Sequence, residues 1–272
     1  MRKNKDIQQP SVIFLPGGVE PAAICYGSLL EIIKDEAHIL LKDLEVYAAE
    51  TKILPADYTL EIEIEGIKRA ALTAHLESFH LVGFSGGGSV SLCFAARYPE
   101  RVKSLTLIEP AWIGNQDWSL EDITYWREID RIMTLPFYER IYAFQHYQVR
   151  PEVKISSHTT QIPSWLTKRP VGVQMMYSAF RAYHFDQERL RHFLRPVYIA
   201  YGNLSNSIEE RKADALIRLF PNVCVEIYDG LHHLNPPHRA EVERFAEVLR
   251  HLWTQGELNH AKGLSESSML ER

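Results

Sequence analysis

The sequence predicts an α/β fold, a mostly parallel sheet flanked by helices and interrupted by an inserted helical cap. Three observations carry this expectation. Short β-rich apolar runs alternate with helical patterns, one long interval near the middle has no strand pattern, and a glycine-bracketed serine directly follows an apolar run.

The apolar runs are Ser11 to Leu15, His38 to Leu41, His80 to Phe84, Ser104 to Ile108, Val197 to Tyr201 and Val223 to Tyr228. Between them, Tyr58 to Phe79 sets Ile62, Ile64, Ile67, Ala71, Leu72 and Leu76 close to one helical face, and Ser89 to Arg97 and Ile208 to Phe220 read the same way. Such alternation implies parallel strands covered by helices on both faces. From Ala111 to Arg195 no clear strand appears, yet the interval holds about half of the aromatic residues, among them Trp112, Trp118, Trp126, Tyr138, Tyr142, Phe144, Trp165, Tyr177, Phe180 and Phe185. It reads as a helical insertion whose aromatics mostly pack against the sheet, a minority lining an apolar pocket. The expected organisation is a core of residues 1–110 and 196–253, a cap of 111–195, and a polar tail of 254–272 that lacks periodicity and is expected to fray.

Composition narrows the function classes. The chain has 272 residues, 46% hydrophobic and 24% charged, as expected of an ordinary globular enzyme. A net charge of -5 and a pI near 6.2 give no electropositive field for a phosphate backbone, so nucleic acid is not an expected partner. No stretch approaches the roughly 20 apolar residues of a membrane-spanning helix, so no membrane partner is expected either. The charged start and the short run Val12 to Leu15 do not resemble a secretory signal, and the three separated cysteines Cys25, Cys93 and Cys224 indicate neither a disulfide framework nor a metal or redox site. The expected location is cytoplasmic. Oligomeric state is not legible, and a homodimer is compatible with the sequence.

The chemistry-bearing stretch is His80-Leu81-Val82-Gly83-Phe84-Ser85-Gly86-Gly87-Gly88, an apolar strand running into Gly-x-Ser-x-Gly and then into a helical segment. A nucleophile on so sharp a turn needs small residues two places before and after it, where strand and helix approach each other. Gly83 and Gly87 meet that need.

At these residues the chain resembles the α/β-hydrolase superfamily of serine hydrolases. Phe14-Leu15-Pro16-Gly17-Gly18 is similar to the loop that supplies part of the family's oxyanion hole, with Pro16 where histidine is usual. Tyr98-Pro99-Glu100-Arg101-Val102 and Leu105 to Ile108 look like the family's helix end and next strand, the insertion stands where its cap does, and Gly230-Leu231-His232-His233-Leu234 is similar to its histidine loop. The resemblance implies Ser85 as nucleophile and His233 as general base, with His232 as the alternative. It implies an oxyanion hole of backbone N–H groups from Gly86 and from Gly18 or Val19. The trio His232, His233 and His238 lacks zincin spacing and any companion cysteine, so no metal is expected.

The acid departs from the family pattern. Where an aspartate is common in a Gly-x-x-Asp turn, this chain reads Gly202-Asn203-Leu204-Ser205. Some relatives take the acid from the end of the strand after the elbow helix, and Glu109 occupies that position, followed by Pro110. Glu209 and Glu210 are the alternatives, expected on the following helix facing solvent. The implied reaction is cleavage of an ester, thioester or lactone of a small, moderately apolar substrate through an acyl-enzyme, with no cofactor. A catalytically inactive ligand-binding protein on the same fold is the competing reading, resting on the missing aspartate at Ser205.

Overall fold

The structure, a computed structural model, describes residues 9–18, 20–48, 58–155 and 169–270. Six strands, β1 (Ser11–Leu15), β2 (His38–Leu41), β3 (Phe79–Phe84), β4 (Val102–Ile108), β5 (Val197–Gly202) and β6 (Val223–Tyr228), form one sheet in the order β2-β1-β3-β4-β5-β6 with every pairing parallel. The strand runs legible in the sequence are these strands to within two residues at either end. Around the sheet lie α1 (Ala22–Cys25), α2 (Gly27–Ile33), α3 (Glu45–Ala48), α4 (Leu60–Thr73), α5 (Gly86–Arg97), α6 (Leu120–Met133), α7 (Phe137–Tyr147), α8 (Pro170–Ala182), α9 (Ile208–Leu219), α10 (Pro237–Ala240) and α11 (Val242–Leu270).

Side chains alternate between the two faces of the central strands. Ile13, Leu15, Leu81, Leu105, Leu107, Val197 and Ile199 bury against α4, α5 and the inserted helices. Their neighbours Val12, Phe14, Val82, Ile108, Tyr198 and Ala200 bury against α2 and α11. Full burial on both faces explains why these strands read as continuous apolar runs.

The helical pattern from Tyr58 overruns its element. Helix α4 stops at Thr73, and His75 turns left-handed at φ 55°, releasing Phe79 to begin β3. Between β4 and β5 the described residues contribute no strand to the sheet and carry α6, α7 and α8. Helix α6 opens with a capping box in which Ser119 and Asp122 satisfy each other's backbone N–H groups. The insertion is also tied to the core by backbone pairing, since Asn206 N donates to Gln148 O at 3.0 Å and Arg150 N to Leu204 O at 2.9 Å.

The expected frayed tail is corrected. Helix α11 continues unbroken past Thr254 to Leu270. Its continuation is held by contacts that hydropathy does not register. Glu257 pairs with Lys103 at 2.9 Å and with the buried His80 at 3.3 Å, and Gly256 lets the helix pass against β4. A Cβ at Gly256 would stand 2.7 Å from the Lys103 carbonyl oxygen and 2.9 Å from His80, whereas a Cβ at Gly27 meets nothing within 4 Å. Gly256 lies inside α11, where alanine should help by roughly 1 kcal/mol through propensity alone, and Gly27 is the first residue of α2, where the gain is smaller. Gly27→Ala is therefore expected to raise Tm slightly. Gly256→Ala is expected to lower it, because a clash with backbone costs about 1–3 kcal/mol; thermal melts of the two variants check the opposite signs.

Candidate active site

Parallel pairing brings five strand ends to one edge. Leu15 lies beside Gly83, Phe84 beside Ile108, Ile108 beside Ala200 and Gly202 beside Tyr228, so the loops after β1, β3, β4, β5 and β6 open on the same side. That edge is where open parallel sheets bind their ligands.

Ser85 sits between β3 and α5 with φ 50° and ψ -116°, a left-handed backbone for a residue with a side chain. Such a conformation costs roughly 1–3 kcal/mol and persists only where its surroundings enforce it. Here the Ser85 N–H donates to the Ile108 carbonyl at 2.9 Å, and the Ser85 carbonyl accepts from Ala111 N at 3.0 Å and Ser89 N at 3.1 Å. The need for small neighbours is met literally. A Cβ on Gly83 would lie 2.5 Å from the Gly87 oxygen, and one on Gly87 2.4 Å from the Pro16 oxygen. The loop after β1 is in turn hooked over the elbow by Gly87 N donating to Pro16 O at 3.0 Å.

Across this edge, Glu109 and His233 meet. Their contact joins His233 Nδ1 to Glu109 Oε2 at 2.6 Å. The other carboxylate oxygen accepts from Gly202 N at 2.8 Å and from Ser205 Oγ at 2.6 Å. Glu109 is fully buried and also left-handed, with φ 44°. Burial pushes its carboxyl up, but the histidine and the two β5-loop donors outweigh that and hold it below the usual carboxylate range. Ser205, which stands where the family's aspartate is common, thus donates to Glu109 and supplies no carboxylate of its own. His232 makes no contact of this kind. Its Nδ1 accepts from Leu234 N at 3.2 Å, and burial lowers its pKa.

Two other sequence candidates fall elsewhere. Glu210 is exposed, as expected, but Glu209 is not the solvent-facing residue predicted. It is only 4% exposed and pairs with Lys212 at 2.7 Å beneath the histidine. Burial raises its carboxyl, opposed by Lys212. Oxygens of Glu109 and Glu209 and a ring nitrogen of His233 lie within 4.8 Å of one another. Glu209 Oε1 accepts from the Lys212 ammonium at 2.7 Å. His238 turns away into the core, ring centroids 4.9 Å from both Phe84 and Tyr26, where burial drives it well below the ordinary imidazole range.

Ser85, Gly86, Gly17, Gly18 and His233 line one cavity of about 220 Å³. Gly18 N would lie 3.3 Å from a Cβ on Gly86, so the two expected oxyanion donors are adjacent; Val19, the alternative, lies outside the described residues. Tyr47 donates its hydroxyl to the Gly18 carbonyl and fixes that loop. Of the insertion's aromatics only Phe144 and Tyr177, among the described residues, reach the cavity. Trp112, Trp126, Phe180 and Phe185 pack in the core, Tyr138 and Tyr142 are exposed, and Trp165 lies outside the described residues. Sequence reasoning missed Met176 of α8, which roofs Gly86 and Gly18, and Gln148, which lines the cavity from the end of α7. A lone methionine and a glutamine in an unaligned helix carry no signal of their direction.

The Ser205 hydroxyl gives a pH-dependent prediction. A carboxyl depressed in the folded state stabilises above its ordinary value of 4.5, and that contribution is lost as pH falls through the folded value. Ser205→Ala removes one donor to the buried charge and is expected to cost about 1–3 kcal/mol at pH 7. The gap from wild type should close as pH falls below about 4.5 and Glu109 is protonated in both proteins. Urea melts across that range check it, and a gap that is flat with pH would refute the assignment.

The model of the alpha/beta hydrolase fold family matches residues 10–238. Among relatives, Probable lysophospholipase BODYGUARD 4 of Arabidopsis thaliana is 25% identical over 91% of this chain, and Monoacylglycerol lipase abhd6-A of Xenopus laevis is 23% identical over 76%. The chain spans 65% of the length of each. A thermophilic esterase from Thermogutta terrifontis superposes with a TM-score of 0.67 at 20% identity, over 91% of this chain and 90% of its own, a likeness of fold. With the matched segment running from the start of β1 into α10, and with the elbow, glycine loop and histidine loop at one sheet edge, this chain belongs to the alpha/beta hydrolase fold family.

Proposed function

We propose that this protein is a serine hydrolase that cleaves carboxylic esters through an acyl-enzyme, with Ser85 as nucleophile, His233 as general base and Glu109 as the acid. The observation that carries this reading is the 2.6 Å contact between Glu109 and His233 Nδ1, at the edge of the cavity that Ser85 lines. With Nδ1 committed to the carboxylate, Nε2 is the nitrogen left to take the serine proton. Ser85 Oγ adds to the carbonyl carbon while His233 accepts its proton, and the oxyanion receives the N–H groups of Gly86 and Gly18. Collapse expels the alcohol, which takes the proton from His233. Water then adds to the acyl-enzyme by the same route and releases the carboxylic acid.

The inactive-binder reading rested on the lack of an acid at Ser205, and Glu109 removes that support. The relatives named as lipases favour an ester over a thioester or lactone, and the apolar walls of the cavity, Phe84, Phe144, Val173 and Met176, favour an apolar acyl group. Its 220 Å³ is small for a ligand pocket, so a short acyl chain is the better fit. No described helix is long and apolar enough to cross a membrane. We place the enzyme in the cytoplasm on the strength of its three unpaired cysteines, and among the described residues no feature of the site calls for a second copy of the chain.

Labelling with a fluorophosphonate probe tests the nucleophile. Wild type is expected to react at Ser85, and Ser85→Ala to lose both labelling and hydrolysis of an activated aryl ester with Tm nearly unchanged; hydrolysis that survives the substitution sinks the reading. Glu109→Gln is expected to keep the fold and cut kcat by about 10³ to 10⁴ with little change in KM, because a neutral amide cannot stabilise the imidazolium. In a chain-length panel of aryl esters, kcat/KM for butyryl should exceed that for lauroyl by about tenfold or more, and the reverse order would show that the cavity opens further to admit its substrate.

A further inference from the structure

The buried face of α9 delivers a second carboxylate to the histidine. Glu209, Glu109 and His233 are all buried with donor atoms within 4.8 Å, and Lys212, itself buried, bonds both Glu209 and the carbonyl of Pro110, the residue after Glu109. Two carboxylates this close repel, and one ammonium offsets only one of them. With both carboxylates ionised, the cluster is one positive charge short while the imidazole is neutral and balanced once it is protonated; burial raises the Glu209 carboxyl, and Lys212 opposes that rise.

Other groups facing the cluster do not change that count. From the insertion come Tyr125 and Tyr177, phenols that burial keeps neutral. From the histidine loop and α10 come His232 and His238, both lowered by burial. Glu20 and Arg239, at the far side of the cavity, pair with each other.

We infer that Glu209, paired with Lys212 at 2.7 Å, is a positioning residue for His233, whose imidazolium form its carboxylate stabilises at the moment Ser85 gives up its proton. This rests on the serine-hydrolase reading above. The charge acts at short range between buried side chains, where opposite charges 4–6 Å apart shift titration by about one to three pH units.

The test is the rate of fluorophosphonate labelling as a function of pH, whose acid limb marks where the base gains its proton. Wild type is compared with Glu209→Gln and with the double variant Glu209→Gln/Lys212→Met. The double variant leaves no lone buried ammonium, and exchanging a buried ion pair for neutral side chains often preserves stability. Thermal melts confirm folding, and the double variant carries the test if the single one does not fold.

Removing the Glu209 charge is expected to move the acid limb to lower pH by about one unit in the single variant, and in the same direction by less in the double. The plateau rate should fall by about tenfold as the base weakens. A folded variant whose limb coincides with wild type, or moves to higher pH, overturns the inference. Wild type that is not labelled at any pH overturns the hydrolase reading itself, so the two failures are distinct.

Discussion

The site is organised around one buried carboxylate. Glu109 receives a backbone N–H from Gly202, a hydroxyl from Ser205 and the ring of His233, and so ties the ends of β4 and β5 to the loop after β6. A buried charge without partners would be expensive, and three donors are what make this one tolerable. Its left-handed backbone is enforced by the same neighbours that enforce that of Ser85. The Ser85 N–H binds the residue before Glu109, and the Ser85 carbonyl binds Ala111 just beyond it. Ser85 and Glu109 are thus two turns of a single stitched unit. The glycines that let α5 approach β3, and the loop after β1 hooked over them, complete that unit.

Much of this was legible in the sequence because the constraints are local. Gly83 and Gly87 announce the close approach of strand and helix, and the apolar runs announce strands buried on both faces. Glu109 stood out because it ends a run and precedes Pro110 while the usual acid position holds Ser205. The direction of a loop is not local. The resemblance favours His233 over His232 through the Leu234 that follows it, but the turn at Gly230 to Leu234 is what presents His233 to Glu109.

Glu209 is a different kind of miss. Helix α9 buries Ile208, Glu209, Lys212, Ala213, Leu216 and Leu219, a face with helical spacing that includes two charged residues. The periodicity was present, but polarity was read as exposure. Here Glu209 and Lys212, three apart on an otherwise apolar face, satisfy each other at 2.7 Å and are buried together. The same error of reading polar as exposed hid the end of α11, where Glu257 answers Lys103 and His80.

The hydroxyl at Ser205 carries a consequence for the fold as a catalyst. It gives its hydrogen to Glu109 at 2.6 Å, so an aspartate in its place would set one anion against another with no proton between them. Two strands each offer a place for a carboxyl beside His233, but both places cannot be filled in one molecule without one carboxyl going neutral. The choice is exclusive, and its two halves lie 96 residues apart in the chain. A hydroxyl on β5's loop and a glutamate at the end of β4 therefore belong together as one character, and changing either alone passes through a protein with two acids or none.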